Sequence, residues 1–148
     1  LLSLGADMQT SLSGNSTAYI FAVFKARDSK ILLGDAGQGA DYLLLASGSN
    51  SSNATSGFSV NSYYFDGTLT SITTRADAFQ ALNENNQQLA SFDLDSSNVG
   101  VGYDIGYSAS GSYQMYEMQE LIIYHSDQSS NRTGIETDIN DYYQIPGM

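Results

Sequence analysis

A chain of 148 residues with 16 acidic against 5 basic side chains, a formal net charge of −11 and no cysteine can bury one core without cross-links. Disulfides and thiolate metal sites are excluded, and the acidic field repels a nucleic-acid backbone or an anionic membrane, so neither is expected as a partner. Eleven tyrosines, no tryptophan and a single proline describe a β-rich, loop-rich domain, and no segment is apolar for long enough to cross a bilayer as a helix. One domain over 1–148 is expected, and the opening Leu1 suggests a processed product or part of a longer chain.

Tyr19-Ile-Phe-Ala-Val-Phe24 is a β-branched and aromatic run ending at Lys25, and it predicts a central strand buried on both faces. Lys30 to Gly34 and Asp41 to Ala46 predict two more strands, separated by a turn-forming loop from Asp35 to Ala40. Ser47 to Gly57 is rich in Ser, Asn and Thr, which predicts a mobile or decorated surface loop. Asn-x-Ser/Thr matches at Asn15, Asn50, Asn53 and Asn131 are weak signals in so polar a chain.

Phe58 to Phe65 predicts the next strand, Asp66-Gly67 a tight hairpin, and Thr68 to Thr73 the returning strand. Thr74-Arg-Ala-Asp77 has the Thr-x-x-acid spacing of an N-cap, predicting a short surface helix from Ala76 to Glu84 that buries Phe79 and Leu82. Leu89 to Leu94, Val99 to Ile105 and Tyr113 to Tyr124 supply the last strands. The apolar period then changes from two to 3.6, because Ile135, Ile139, Tyr142 and Tyr143 recur at helical spacing. They predict a helix from about Ser129, its cap, to Tyr143, lying against one end or flank of the strands. Short strands at this spacing with turn signals between them argue a β-sandwich, and without an internal repeat a propeller or solenoid is not expected.

Catalytic constellations are sparse. Triad chemistry needs a histidine, and the single one, His125, follows the last strand directly and reads as a surface residue. One imidazole without a thiolate cannot fill a usual zinc site. Glu117 and Glu120 are the nearest approach to a carboxylate pair, but an odd separation on a regular strand sends them to opposite faces, so glycoside hydrolysis is not expected. Glu120 is expected to hold a partner near the final turn. Gly100 to Gly106 lacks the spacing of a phosphate loop and reads as glycines relieving crowding in a sheet. No enzyme activity is assigned. The candidate ligand-binding residues are Asp35, Asp41, Tyr103, Asp104 and Tyr107, because tyrosine rings stack on sugars, carboxylates accept from sugar hydroxyls, and the glycines of both segments admit a ligand to the backbone.

The closing segment carries a further signal. Glu120 and Tyr124 on an apolar strand, the polar turn from Ser126 to Asn131, the pair Ile135-Glu136 and the Tyr142-Tyr143 tail together resemble the end of the concanavalin A-like lectin/glucanase superfamily, in particular its laminin-G-like modules. The resemblance implies an all-β, antiparallel jelly-roll β-sandwich with a short surface helix and a C-terminal helix. It implies a non-catalytic recognition or adhesion module, extracellular or on a virion, that binds a glycan or surface polysaccharide. Calcium held at the rim by Asp35, Asp41, Asp95 or Asp104 is an optional ligand of such modules, and no cofactor is required. Ser126 to Glu136 looks like laminin-G-like domains appended to phage and bacterial structural proteins. The alternative is therefore a structural capsid-decoration or fibre domain whose partners are structural proteins or copies of itself.

Overall fold

A computed structural model of the chain describes residues 17–27, 30–35, 41–82, 86–97, 103–105 and 115–148. Its elements are β1 (Ala18–Arg27), β2 (Lys30–Asp35), β3 (Tyr42–Ala46), β4 (Phe58–Phe65), β5 (Thr68–Thr70), α1 (Arg75–Ala81), β6 (Gln87–Ser97), β7 (Tyr103–Ile105), β8 (Met115–Tyr124) and α2 (Arg132–Tyr143). The strands form a five-stranded sheet in the order β5-β4-β6-β1-β8 and a three-stranded sheet in the order β3-β2-β7. Every strand pairing is antiparallel. The described residues form an all-β, sandwich-like architecture with two helices.

β1 organises the interior because it is apolar at both phases of the strand period. Ile20, Ala22, Phe24 and Ala26 face the core between the sheets, where they meet Leu32, Leu43, Leu44, Phe65 and Phe92. Tyr19, Phe21 and Val23 alternate with them and face outward, against Ile139 and Ile145 of the C-terminal segment. Burying a residue such as Phe21 contributes about 1.5 to 3 kcal/mol, and a strand buried on both faces collects this from its large apolar residues at both phases. In β3, Leu44 takes a φ of 59°, which turns successive leucines Leu43 and Leu44 into the same core.

The local signals that depend on a few neighbouring residues appear as expected. Asp66 and Gly67 have φ of 49° and 74°, the two left-handed residues of a primed hairpin turn. Thr74 caps α1 by accepting from the Asp77 N–H at 3.2 Å, while Asp77 accepts from the Thr74 N–H at 2.7 Å, a complete capping box.

Several expectations are corrected. β5 stops at Thr70, short of Thr73, because Thr73 turns to receive Ala54 and to enter the α1 cap. α1 ends at Ala81 with Leu82 as its C-cap. α2 begins at Arg132, and Asn131 rather than Ser129 holds the N-cap position, without a side-chain cap bond. Ser129 lies in the preceding turn, where its N–H bonds the Asp127 carboxylate at 2.8 Å. Of the two placements expected for the helix, an end or a flank, it takes the flank: it lies on the outer face of the five-stranded sheet, since Tyr19, Phe21, Val23 and Leu89 leave that face apolar. It adds a third layer.

Candidate functional site

Strand register decides which predicted site residues meet. Gly34 pairs with both Tyr42 and Asp104, and Asp35 pairs with Tyr103. Asp35, Asp41, Tyr103 and Asp104 therefore occupy one end of the three-stranded sheet. Tyr107 lies outside the described residues, as does most of the Gly100–Gly106 segment. Asp95 stands on β6, in the other sheet. Among the described residues no group of three or more His, Cys, Asp or Glu converges as a metal-ligand set.

Asp41 has local work at this end. Its Oδ1 accepts from Ser56 Oγ at 3.1 Å, and its carboxyl packs so closely on Gly57 that a Cβ there would stand 2.2 Å from Cγ. This contact closes the Ser47–Gly57 loop, which is tied to its neighbours at several points. Ala54 is buried, and the backbone of the loop exchanges hydrogen bonds with Thr73, Arg75 and Ala76. The Arg75 guanidinium donates to the Asn53 carbonyl and the Tyr42 hydroxyl, at 3.3 and 2.7 Å.

The expected separation of Glu117 and Glu120 does not occur. β8 carries a β-bulge opposite β1, where Val23 pairs with Glu120 while Phe24 pairs with Met118. The extra residue, Gln119, shifts the alternation by one, so Glu117 (opposite Lys25) and Glu120 (opposite Val23) share the outer face. Glu120 holds a side-chain partner, but at the far end of α2 rather than near the final turn: the Tyr143 hydroxyl donates to its Oε2 at 2.7 Å. That bond to a carboxylate pushes the Tyr143 phenol up to about 12. Beside it Gln87 Nε2 donates to Gln119 Oε1 at 2.6 Å. His125 is exposed, as expected.

On the same outer face the β4–β5 turn and α2 border an open, shallow cleft of about 340 Å³. Asp66, Gly67 and Thr68 form one wall, and Arg132, Glu136 and Asn140 of α2 the other. Glu136 is 3% exposed. Ser91 Oγ donates to its Oε1 at 2.7 Å, and Arg132, one helical turn earlier, forms an ion pair with Oε2. The Arg132 guanidinium lies over the Tyr64 ring, 3.9 Å from its centroid. Burial works against the charge of Arg132, but the hydrogen bond and charge of Glu136 prevail and raise its pKa further. Burial also raises Asp66 above its usual range, opposed by the hydrogen bond it accepts from the Leu89 N–H at 2.9 Å.

Sequence reasoning missed this cleft. Its legible trace is the Arg132/Glu136 pair at i, i+4, which marks one helix face without revealing what that face meets. The chain matches no protein-family model, no curated protein and no solved structure.

Proposed function

We propose that the domain is a non-catalytic recognition module of a virion or cell surface that binds glycan, within a jelly-roll sandwich of the concanavalin A-like kind. The register that gathers Asp35, Asp41, Tyr103 and Asp104 at one end of the three-stranded sheet carries this reading. Carboxylates and tyrosine at a sheet end suit sugar hydroxyls and sugar faces, and the same carboxylates suit a calcium ion. Two antiparallel sheets followed by a docked C-terminal helix support the kinship.

The test is a glycan array followed by calorimetry on any hit, with and without a calcium chelator. The double variant Asp104→Ala, Tyr107→Ala should weaken binding about tenfold or more while the fold is kept, as losing a charged hydrogen bond costs roughly 1.5 to 3 kcal/mol. Absence of saturable binding across the array would defeat the glycan reading and leave the capsid-decoration or fibre role.

A further inference from the structure

We propose that the cleft between the β4–β5 turn and α2 is a second binding site, which receives one uncharged sugar residue of the glycan. The inference rests on the recognition reading and places its chemistry at a site no predicted residue occupies.

Size and charge narrow the ligand. About 340 Å³ falls at the small end of ligand sites, which run from roughly 300 to 1,000 Å³. Two carboxylates, Asp66 and Glu136, stand against the single guanidinium of Arg132 in its walls. Their surplus of one negative charge, in a chain of net charge −11, turns away phosphate, sulfate and uronate groups. A cation gains little either, since these carboxylates already accept from Leu89, Ser91 and Arg132. What remains for a ligand is neutral hydrogen bonding.

Those neutral groups are present and held in place. Thr68, Thr133, Thr137 and Asn140 border the opening. The Thr137 hydroxyl donates to the Thr133 carbonyl at 2.8 Å, which leaves its oxygen as an acceptor. Asn140 Oδ1 accepts from the Ile145 N–H at 2.8 Å, which fixes the amide and leaves its Nδ2 without a partner among the described residues. The Arg132 guanidinium is pinned between Glu136 and the Tyr64 ring, so this wall needs little ordering when a ligand arrives. Leu69 pairs with Tyr64 across the β4–β5 ladder and so shares its face of the sheet. It is 66% exposed, an apolar surface beside the opening suited to the C–H face of a pyranose.

The test measures binding of the full chain to neutral oligosaccharides built on glucose, galactose and mannose, with sulfated and uronate oligosaccharides in parallel. Thr133→Trp fills the cleft and keeps both members of the Arg132–Glu136 pair, losing only the 3.4 Å bond from Arg132 Nη2 to the Thr133 hydroxyl, and Thr137→Tyr fills it from the next turn without that loss. Melting curves identify which variant keeps the fold. Binding of neutral sugars that falls tenfold or more in a folded cleft variant is the expected result. Full-strength binding by both folded cleft variants overturns the cleft while leaving the recognition reading intact, and preference for the anionic oligosaccharides overturns the ligand class. A wild-type chain that binds no sugar removes both readings.

Discussion

Ser91 Oγ donates to Glu136 Oε1 at 2.7 Å across 45 residues of sequence, joining the middle of β6 to the first turns of α2. The bond crosses a row of the outer face in which Leu69, Tyr64, Ser91, Phe21 and Ile122 stand side by side on five neighbouring strands. Phe21 and Ile122 of that row pack with Ile139 and Ile135 of the helix. Ser91 and Glu136 supply a polar link in the middle, so the position of α2 is specified by hydrogen bonding as well as by apolar fit.

The cost of breaking this link depends on which partner is removed. Arg132→Ala leaves Glu136 charged and buried, and it also removes the guanidinium from Tyr64, so a loss of about 3 to 5 kcal/mol is expected. Glu136→Gln keeps an acceptor for Ser91 and leaves an arginine that reaches solvent, so about 1 to 3 kcal/mol is expected. Urea unfolding of the two variants should rank them in that order. Equal losses would mean that the ion pair contributes no more than the space it fills.

Ile139 is 7% exposed and packs with the outer residues of β1. Ile139→Asp should destabilise by roughly 2 to 4 kcal/mol, because it places an unpaired carboxylate in an apolar contact. An unchanged melting temperature would show the helix undocked in solution.

Gly57 and Gly67 separate backbone strain from collision. Both have positive φ, 73° and 74°, but a Cβ on Gly67 would find its nearest neighbour at 3.8 Å, and one on Gly57 would enter the Asp41 carboxyl. Gly67→Ala should therefore cost about 1 to 2 kcal/mol, the penalty of a left-handed L-residue, and Gly57→Ala more. In the background Asp41→Ala, the excess at Gly57 should shrink, which chemical denaturation of the four chains would read directly.

The α1 cap gives the domain an acid-sensitive element. Hydrogen bonds from the Thr74 backbone, its side chain and the Thr73 backbone hold the Asp77 carboxyl below its ordinary 3.8. A carboxyl with a lower pKa folded than unfolded stabilises the fold above the ordinary value, and the contribution is lost as pH falls through the folded one. Asp77→Asn should thus lower the melting temperature at neutral pH, and the gap to wild type should close as pH drops below 3.8. Thr74→Ala should cost about 1 kcal/mol. A pH-independent gap for Asp77→Asn would assign its effect to packing.

What was legible in the sequence is what a few adjacent residues decide. The apolar run of β1, the Asp66-Gly67 turn and the Thr74/Asp77 cap each act within a handful of positions, and each forms where expected. The start of α2 was misplaced because Ser129 satisfies the rule for a cap yet spends its N–H on Asp127. The Gln119 bulge leaves no local mark, since it is defined by what β1 presents opposite it. The cleft is harder still to foresee, because its walls come from a hairpin and a helix about 65 residues apart in the chain, joined only once α2 takes the outer face. Of the candidate residues, register gathers Asp35, Asp41, Tyr103 and Asp104, an alignment of three strands that the turn residues alone suggested.

The shared face of Glu117 and Glu120 removes the alternation argument against hydrolysis, so the expectation of none rests on what holds Glu120. Two carboxylates on one face could flank a glycosidic bond, and one of them must then carry a proton to the leaving oxygen. Glu120 Oε2 instead accepts a hydrogen bond from the Tyr143 hydroxyl at 2.7 Å, and Tyr143 belongs to a helix whose inner residues are packed on β1. The geometry ties Glu120 to holding the end of α2 on β8. No sustained release of reducing ends from a panel of polysaccharides is expected from the wild-type chain, whereas Tyr143→Phe should cost about 1 kcal/mol of stability by removing one net hydrogen bond, and Glu120→Gln less, because its amide oxygen still accepts. Reducing-end release that disappears in Glu117→Gln or Glu120→Gln, with the fold intact, would make these two residues an active site and end the non-catalytic reading.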